Sequence, residues 1–137
     1  MKKLIIGLFA AILMGSGLVA FTGGSAVAAC PYTGCVSTNT VVFGDNSLER
    51  GDRPVSHVKV KTDGNATPKG SIKMIYERVK GGFYRTKTVD YNGGKIEVVG
   101  PRLKKLGRYT VTAKFIPNED SVFGRSSDTY SLRVRRG

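Results

Sequence analysis

The chain has 137 residues, 40% of them hydrophobic, with 22 Lys and Arg against 10 Asp and Glu and a formal charge of +12 at pH 7. That length suits one domain and leaves too little for two. Two Cys and one His exclude a multi-bridge disulfide scaffold and a Cys/His zinc set, and the positive balance directs attention to anionic partners.

In chain order, Lys2 and Lys3 form a short positive stretch, residues 4–21 are almost uninterruptedly apolar, and Ser25-Ala26-Val27-Ala28-Ala29 supplies small residues for cleavage. The expectation is a helical signal peptide over residues 1–29, cut after Ala28 or Ala29. An uncleaved anchor is the competing reading, since about 18 apolar residues just span a bilayer. Glycines at 15, 17, 23 and 24 and the Ala-rich exit favour cleavage. No second apolar span follows, so the expected product is secreted or surface-located and carries no transmembrane anchor.

Residues 30–37 hold both cysteines, in Cys30-Pro31-Tyr32-Thr33-Gly34-Cys35. In an exported chain this reads as a small disulfide loop with Pro31 and Gly34 making the turn, worth about 2 kcal/mol at most for so short a ring. The spacing is not that of a thioredoxin-like redox pair. Val27-Ala28-Ala29-Cys30 also resembles a lipoprotein box, in which Cys30 would carry a lipid instead. Both readings stay open.

Residues 38–136 alternate with period 2. In 109–115, Tyr109, Val111, Ala113 and Phe115 point one way and Thr110, Thr112 and Lys114 the other, the pattern of a half-buried strand. The same signal occurs in 58–61, 72–76 and 130–134, and more weakly in 40–43, 84–91 and 95–99. Turn clusters Asp63-Gly64-Asn65, Lys80-Gly81-Gly82 and Asn92-Gly93-Gly94 separate them. About seven short strands in about 100 residues predict an all-β, two-layer antiparallel sandwich. Its inner faces would draw on Val58, Val60, Ile72, Met74, Tyr76, Val89, Tyr91, Ile96, Val98, Leu103, Tyr109, Val111, Ala113, Phe115, Tyr130, Leu132 and Val134.

Pro68-Lys69-Gly70-Ser71-Ile72, Tyr91-Asn92-Gly93-Gly94-Lys95, the run 103–113 and the tail 120–127 resemble successive landmarks of bacterial immunoglobulin-like repeat domains. The resemblance covers residues 38–136 and implies an immunoglobulin-like sandwich. Leu106-Gly107-Arg108-Tyr109 is similar to the tyrosine corner, which implies that the Tyr109 hydroxyl bonds back to nearby backbone. The absence of Trp, and of Cys in any core strand, departs from the antibody branch. Members of the bacterial branch are mostly spacers, adhesin stalks or accessory modules, so the resemblance implies a non-catalytic surface or adhesion role without naming a ligand.

The residues offer little for catalysis. His57 falls on the outward side of a strand beside Lys59 and Lys61, and no nucleophile stands at motif spacing. The acids are scattered singly apart from Glu119-Asp120, so no carboxylate pair for glycoside hydrolysis is evident. Asp45, Asp63, Asn65, Asn118, Glu119 and Asp120 could gather oxygens for calcium, yet Asp and Asn are ordinary turn formers. Neither a metal nor another cofactor is expected, and the chain is read as a non-enzyme. The alternative is an exported hydrolase or carbohydrate-binding accessory subunit whose site is assembled from distant residues.

Removing residues 1–29 takes Lys2 and Lys3 with it and no acid, so the remainder keeps a formal charge of about +10. On an immunoglobulin-like sandwich, Lys73 of strand C, Arg108 and Lys114 of strand F, and Arg133 and Arg135 of strand G would face outward on one sheet. Arg136, Arg102, Lys104 and Lys105 would extend that face, and Glu77 and the Thr residues would interrupt it. The expected partners are anionic cell-envelope polymers, bound by counterion release, or another surface protein. Sequence-specific nucleic-acid recognition is not expected, because no reading helix is predicted. High charge serving only solubility is the competing reading.

Overall fold

A computed structural model describes residues 35–137; residues 1–29, expected to be a signal peptide, and Cys30, with the loop reading that depends on it, lie outside the described residues. Eight strands follow in order: β1 (Thr38–Gly44), β2 (Ser47–Glu49), β3 (Val55–Thr62), β4 (Gly70–Arg78), β5 (Tyr84–Tyr91), β6 (Lys95–Val99), β7 (Gly107–Pro117) and β8 (Ser126–Arg135). They form two sheets, one in the order β1-β3-β6 and one in the order β2-β8-β7-β4-β5. The described chain is an all-β sandwich. Its pairings are antiparallel except that β2 runs parallel to the end of β8, and Val36 bridges Phe123 in parallel.

Strand β7 shows why these segments are strands. Tyr109, Val111, Ala113 and Phe115 are all buried, while Arg108 and Lys114 are exposed and Thr110 and Thr112 lie half-buried on the same outward side. Against β4, Phe115 stands opposite Ile72, Ala113 opposite Met74 and Val111 opposite Tyr76. Small Ala113 thus leaves room for long Met74, as close packing demands. The facing sheet adds Val42, Val58, Val60 and Val98. Each fully buried side chain of this size contributes roughly 1.5–3 kcal/mol before ordering entropy is subtracted. Edge-to-face ring pairs, Phe83 with Tyr109 and Tyr91 with Phe115, have centroids 5.6 and 5.9 Å apart, within the favourable range for aromatic contacts.

The start of β7 is pinned from two directions. The Tyr109 hydroxyl donates to the Lys105 carbonyl at 2.8 Å. The Arg78 guanidinium donates through Nε and Nη2 to the Leu106 carbonyl at 3.0 and 2.9 Å. Gly107, at φ 125°, makes the bend between those anchors in a region that L side chains avoid.

Two details differ from the sequence expectation. The described residues form eight strands, because Ser47–Glu49 adds a three-residue edge too short to show a period. Val89, Ile96 and Tyr130 are half-buried and pack at the margin of the core, whereas Val42 and Pro54 join the interior. The margin exists because a three-stranded sheet cannot cover a five-stranded one.

Candidate functional site

The outward surface of the five-stranded sheet is set by register. Lys73 stands opposite Lys114 across β4 and β7, and Arg108 stands opposite Arg133 across β7 and β8. Arg135 is the next outward residue on β8, opposite Glu49 of β2. All are exposed except Lys73, which is half-buried. The structure therefore brings Lys73, Lys114, Arg108, Arg133 and Arg135 to one face, but as two cationic ends and not as one stripe.

Between those ends lie hydroxyls. Thr86, Ile75, Thr112 and Thr129 form one row across the sheet, and Tyr84, Glu77, Thr110 and Ser131 form the next. Thr112 Oγ1 and Thr129 Oγ1 are 3.0 Å apart, a cross-strand hydrogen bond. Glu77 is the single acid in these two rows. Like charges placed directly opposite on antiparallel strands destabilise the pairing, where an opposite charge or a hydroxyl would help. This sheet carries two such pairs, about 20 Å apart by strand rise.

The residues expected to extend the face divide. Lys104 and Arg136 are exposed, but Lys105 Nζ donates to the Gly82 carbonyl at 2.8 Å and Arg102 Nη1 to the Gly51 carbonyl at 3.4 Å. These two serve loops. His57 faces outward on the other sheet, between Phe43 and Glu97 in register, with its ring 5.2 Å from that of Phe43. Among the described residues no three His, Cys, Asp or Glu gather as a metal set, and no helix is long and apolar enough to cross a membrane.

A second cationic place was not anticipated from sequence. Between β5 and β6 the sandwich opens into a groove of about 210 Å³ lined by Arg53, Arg85, Thr86, Lys87, Val99, Gly100 and Pro101. Arg85 and Lys87 pair with Tyr76 and Met74 of β4, so they occupy the inner side of the sheet with Val89 and Tyr91. The facing sheet ends at β6, which leaves this half of β5 uncovered. Lys87 Nζ donates to the Val99 carbonyl at 2.9 Å and Arg53 Nη1 to the Gly100 carbonyl at 3.3 Å. Arg85 Nη1 donates to the Tyr84 carbonyl at 3.1 Å, and its guanidinium carbon lies 5.5 Å from the centroid of the Phe83 ring. The signal that could have found the groove is two cations at inner positions of an alternating strand.

Under the groove, Gly100 touches Tyr76 so closely that a Cβ would lie 2.7 Å from two ring carbons and 2.8 Å from Pro54 Cγ. The Tyr76 hydroxyl is buried without a hydrogen-bond partner. Burial, then the neighbouring Tyr130, push its pKa from 10.0 up to about 12, opposed in part by the nearby Ser56. The well-formed bond of the Ser56 hydroxyl is with Tyr130 Oη, at 2.8 Å.

The chain matches no family model and no curated protein.

Proposed function

We propose that the protein is an exported, non-catalytic module of immunoglobulin-like type that binds anionic cell-envelope polymers through the outward face of its five-stranded sheet, as surface and adhesion modules do. Export follows from the signal-like residues 1–29, with Cys30 and Cys35 closing a disulfide loop ahead of β1. The immunoglobulin-like reading draws support from the two-sheet sandwich and from the Tyr109 hydroxyl bonded four residues back, both of which the resemblance implies.

The observation that carries the binding reading is the pair of like-charge juxtapositions, Lys73 with Lys114 and Arg108 with Arg133. Solubility alone asks only for dispersed charge. Charges set against each other at both ends of a hydroxyl-lined face are instead relieved by a polyanion lying across it, which also releases its counterions. The intervening Thr and Ser hydroxyls can donate to or accept from a glycan. The fit is to an extended, charged and hydroxylated chain.

The test is retention of the protein on a purified anionic envelope polysaccharide and on a neutral one at 50 and 200 mM salt. The expected result is binding to the anionic polymer that weakens at least tenfold at the higher salt, and none to the neutral polymer. Equal retention at both salts, or on both polymers, would overturn the reading.

A further inference from the structure

We infer that the groove between β5 and β6 is a phosphate-binding site in which Lys87, Arg85 and Arg53 hold one phosphate dianion, either free or as a terminal monoester. The groove is independent of the outward face, because Arg85 and Lys87 lie on the opposite side of the five-stranded sheet from Lys73 and Lys114.

Three features converge on an oxyanion. The groove lining carries three cations and no acid. Each cationic head is already held by one backbone carbonyl, Val99 for Lys87, Gly100 for Arg53 and Tyr84 for Arg85. An ammonium has three donors and a guanidinium five, so most remain free while the heads are preorganised. Binding then loses less side-chain entropy than it would with free surface lysines. Val99 and Pro101 complete the walls with apolar surface.

Size and charge select the ligand class. About 210 Å³ is below the range of roughly 300–1,000 Å³ that holds a drug-sized ligand, so the groove takes a single small group. A phosphate monoester brings a charge of about −1.5 to −2 and three acceptor oxygens, enough to engage all three cations. A carboxylate brings one charge and two coplanar oxygens and leaves a cation unanswered. Inward cations on an edge strand also discourage a further strand from adding there. That role does not explain Arg53, which comes from the segment before β3 and not from the open edge.

The test is a titration followed by backbone-amide NMR at constant ionic strength, with inorganic phosphate, glycerol 3-phosphate and acetate in parallel. Saturable shifts centred on residues 85–87 and 99–101 are expected for at least one phosphate, with acetate at least tenfold weaker. Saturation by both phosphates or by inorganic phosphate alone assigns a free anion; saturation by the ester alone assigns a terminal phosphate on a larger molecule. Arg85→Gln with Lys87→Gln should raise Kd at least tenfold, as should Arg53→Gln alone, while Lys114→Thr leaves it unchanged. The site is excluded if neither phosphate saturates, if acetate binds equally, if both groove variants bind as wild type, or if the shifts centre on Lys73 and Lys114. Failure of the outward face to bind polymer would leave these outcomes untouched, so the two readings fail separately.

Discussion

The two lateral seams of the sandwich are built in opposite ways. Along β1 and β8, Thr38 Oγ1 lies 2.8 Å from both the Gly124 carbonyl and Ser126 Oγ, and Thr40 Oγ1 lies 2.7 Å from Ser126 Oγ. Further along, the Val42 amide donates to Asp128 Oδ2 at 2.9 Å and Ser56 Oγ meets Tyr130 Oη. Along β5 and β6 the polar links are fewer. Tyr91 Oη accepts from the Val60 amide at 3.0 Å and donates to the Gly94 carbonyl at one end, and Lys87 reaches Val99 at the other. Five strands against three leave β1 within reach of β8 but leave the first half of β5 uncovered. Polar side chains at inner positions therefore mean different things on the two sides: on β8 they satisfy the neighbouring sheet, on β5 they face solvent with donors to spare.

By that contrast Asp128→Ala has the largest effect, since it strands the Val42 amide in a part-buried seam. It should lower stability by about 1–3 kcal/mol, read as a fall in urea midpoint at unchanged m. Tyr109→Phe removes a single hydrogen bond while keeping the ring, and should cost about 0.5–1.5 kcal/mol on the same measurement. On the open seam, Lys87→Gln should shift stability by no more than about 0.5 kcal/mol, as at a solvated site. Substituting both cations, Arg85→Val with Lys87→Val, should instead show in the oligomeric state: an apolar, unguarded edge is expected to associate in sedimentation at concentrations where wild type is monomeric.

The smallest effect at neutral pH sits between the seams. Because burial raises the Tyr76 hydroxyl from 10.0 to about 12, the folded state holds that proton more tightly than the unfolded state does. The associated stability is whole below pH 10 and is lost as pH rises toward 12. Burial raises Tyr109 and Tyr130 in the same direction. Tyr76→Phe should leave the melting temperature at pH 7 unlowered, since the hydroxyl it removes has no hydrogen-bond partner, and should flatten the loss between pH 10 and 12.

The legible part of the fold was the part governed by alternation. Strand β7 reads directly from Tyr109 to Phe115, and β4 and β8 follow because their inner residues meet it in register. Strand β2 was illegible because three residues carry no period. The seams were illegible for another reason. Ser126 and Asp128 find Thr38, Thr40 and Val42 across more than 80 residues of sequence, and nothing local announces a partner so distant. The outward cations were readable residue by residue, but their grouping into Lys73 with Lys114 and Arg108 with Arg133 needed the register. Arg85 and Lys87 look like solvated charges in a weak strand. The register with β4 places them on the inner side, and the five-against-three mismatch leaves that side uncovered.

The central claim is that the outward sheet face binds a polyanion through its opposed cations. The most direct measurement is the slope of log Kobs against log salt for an anionic envelope polysaccharide, comparing wild type with a variant carrying Lys73→Thr, Lys114→Thr, Arg108→Thr and Arg133→Thr. By analogy with nucleic-acid binding, the slope should become shallower by roughly 0.7–0.9 for each cation that had touched the polymer, with the fold retained. An unchanged slope and affinity in the folded variant would contradict the account.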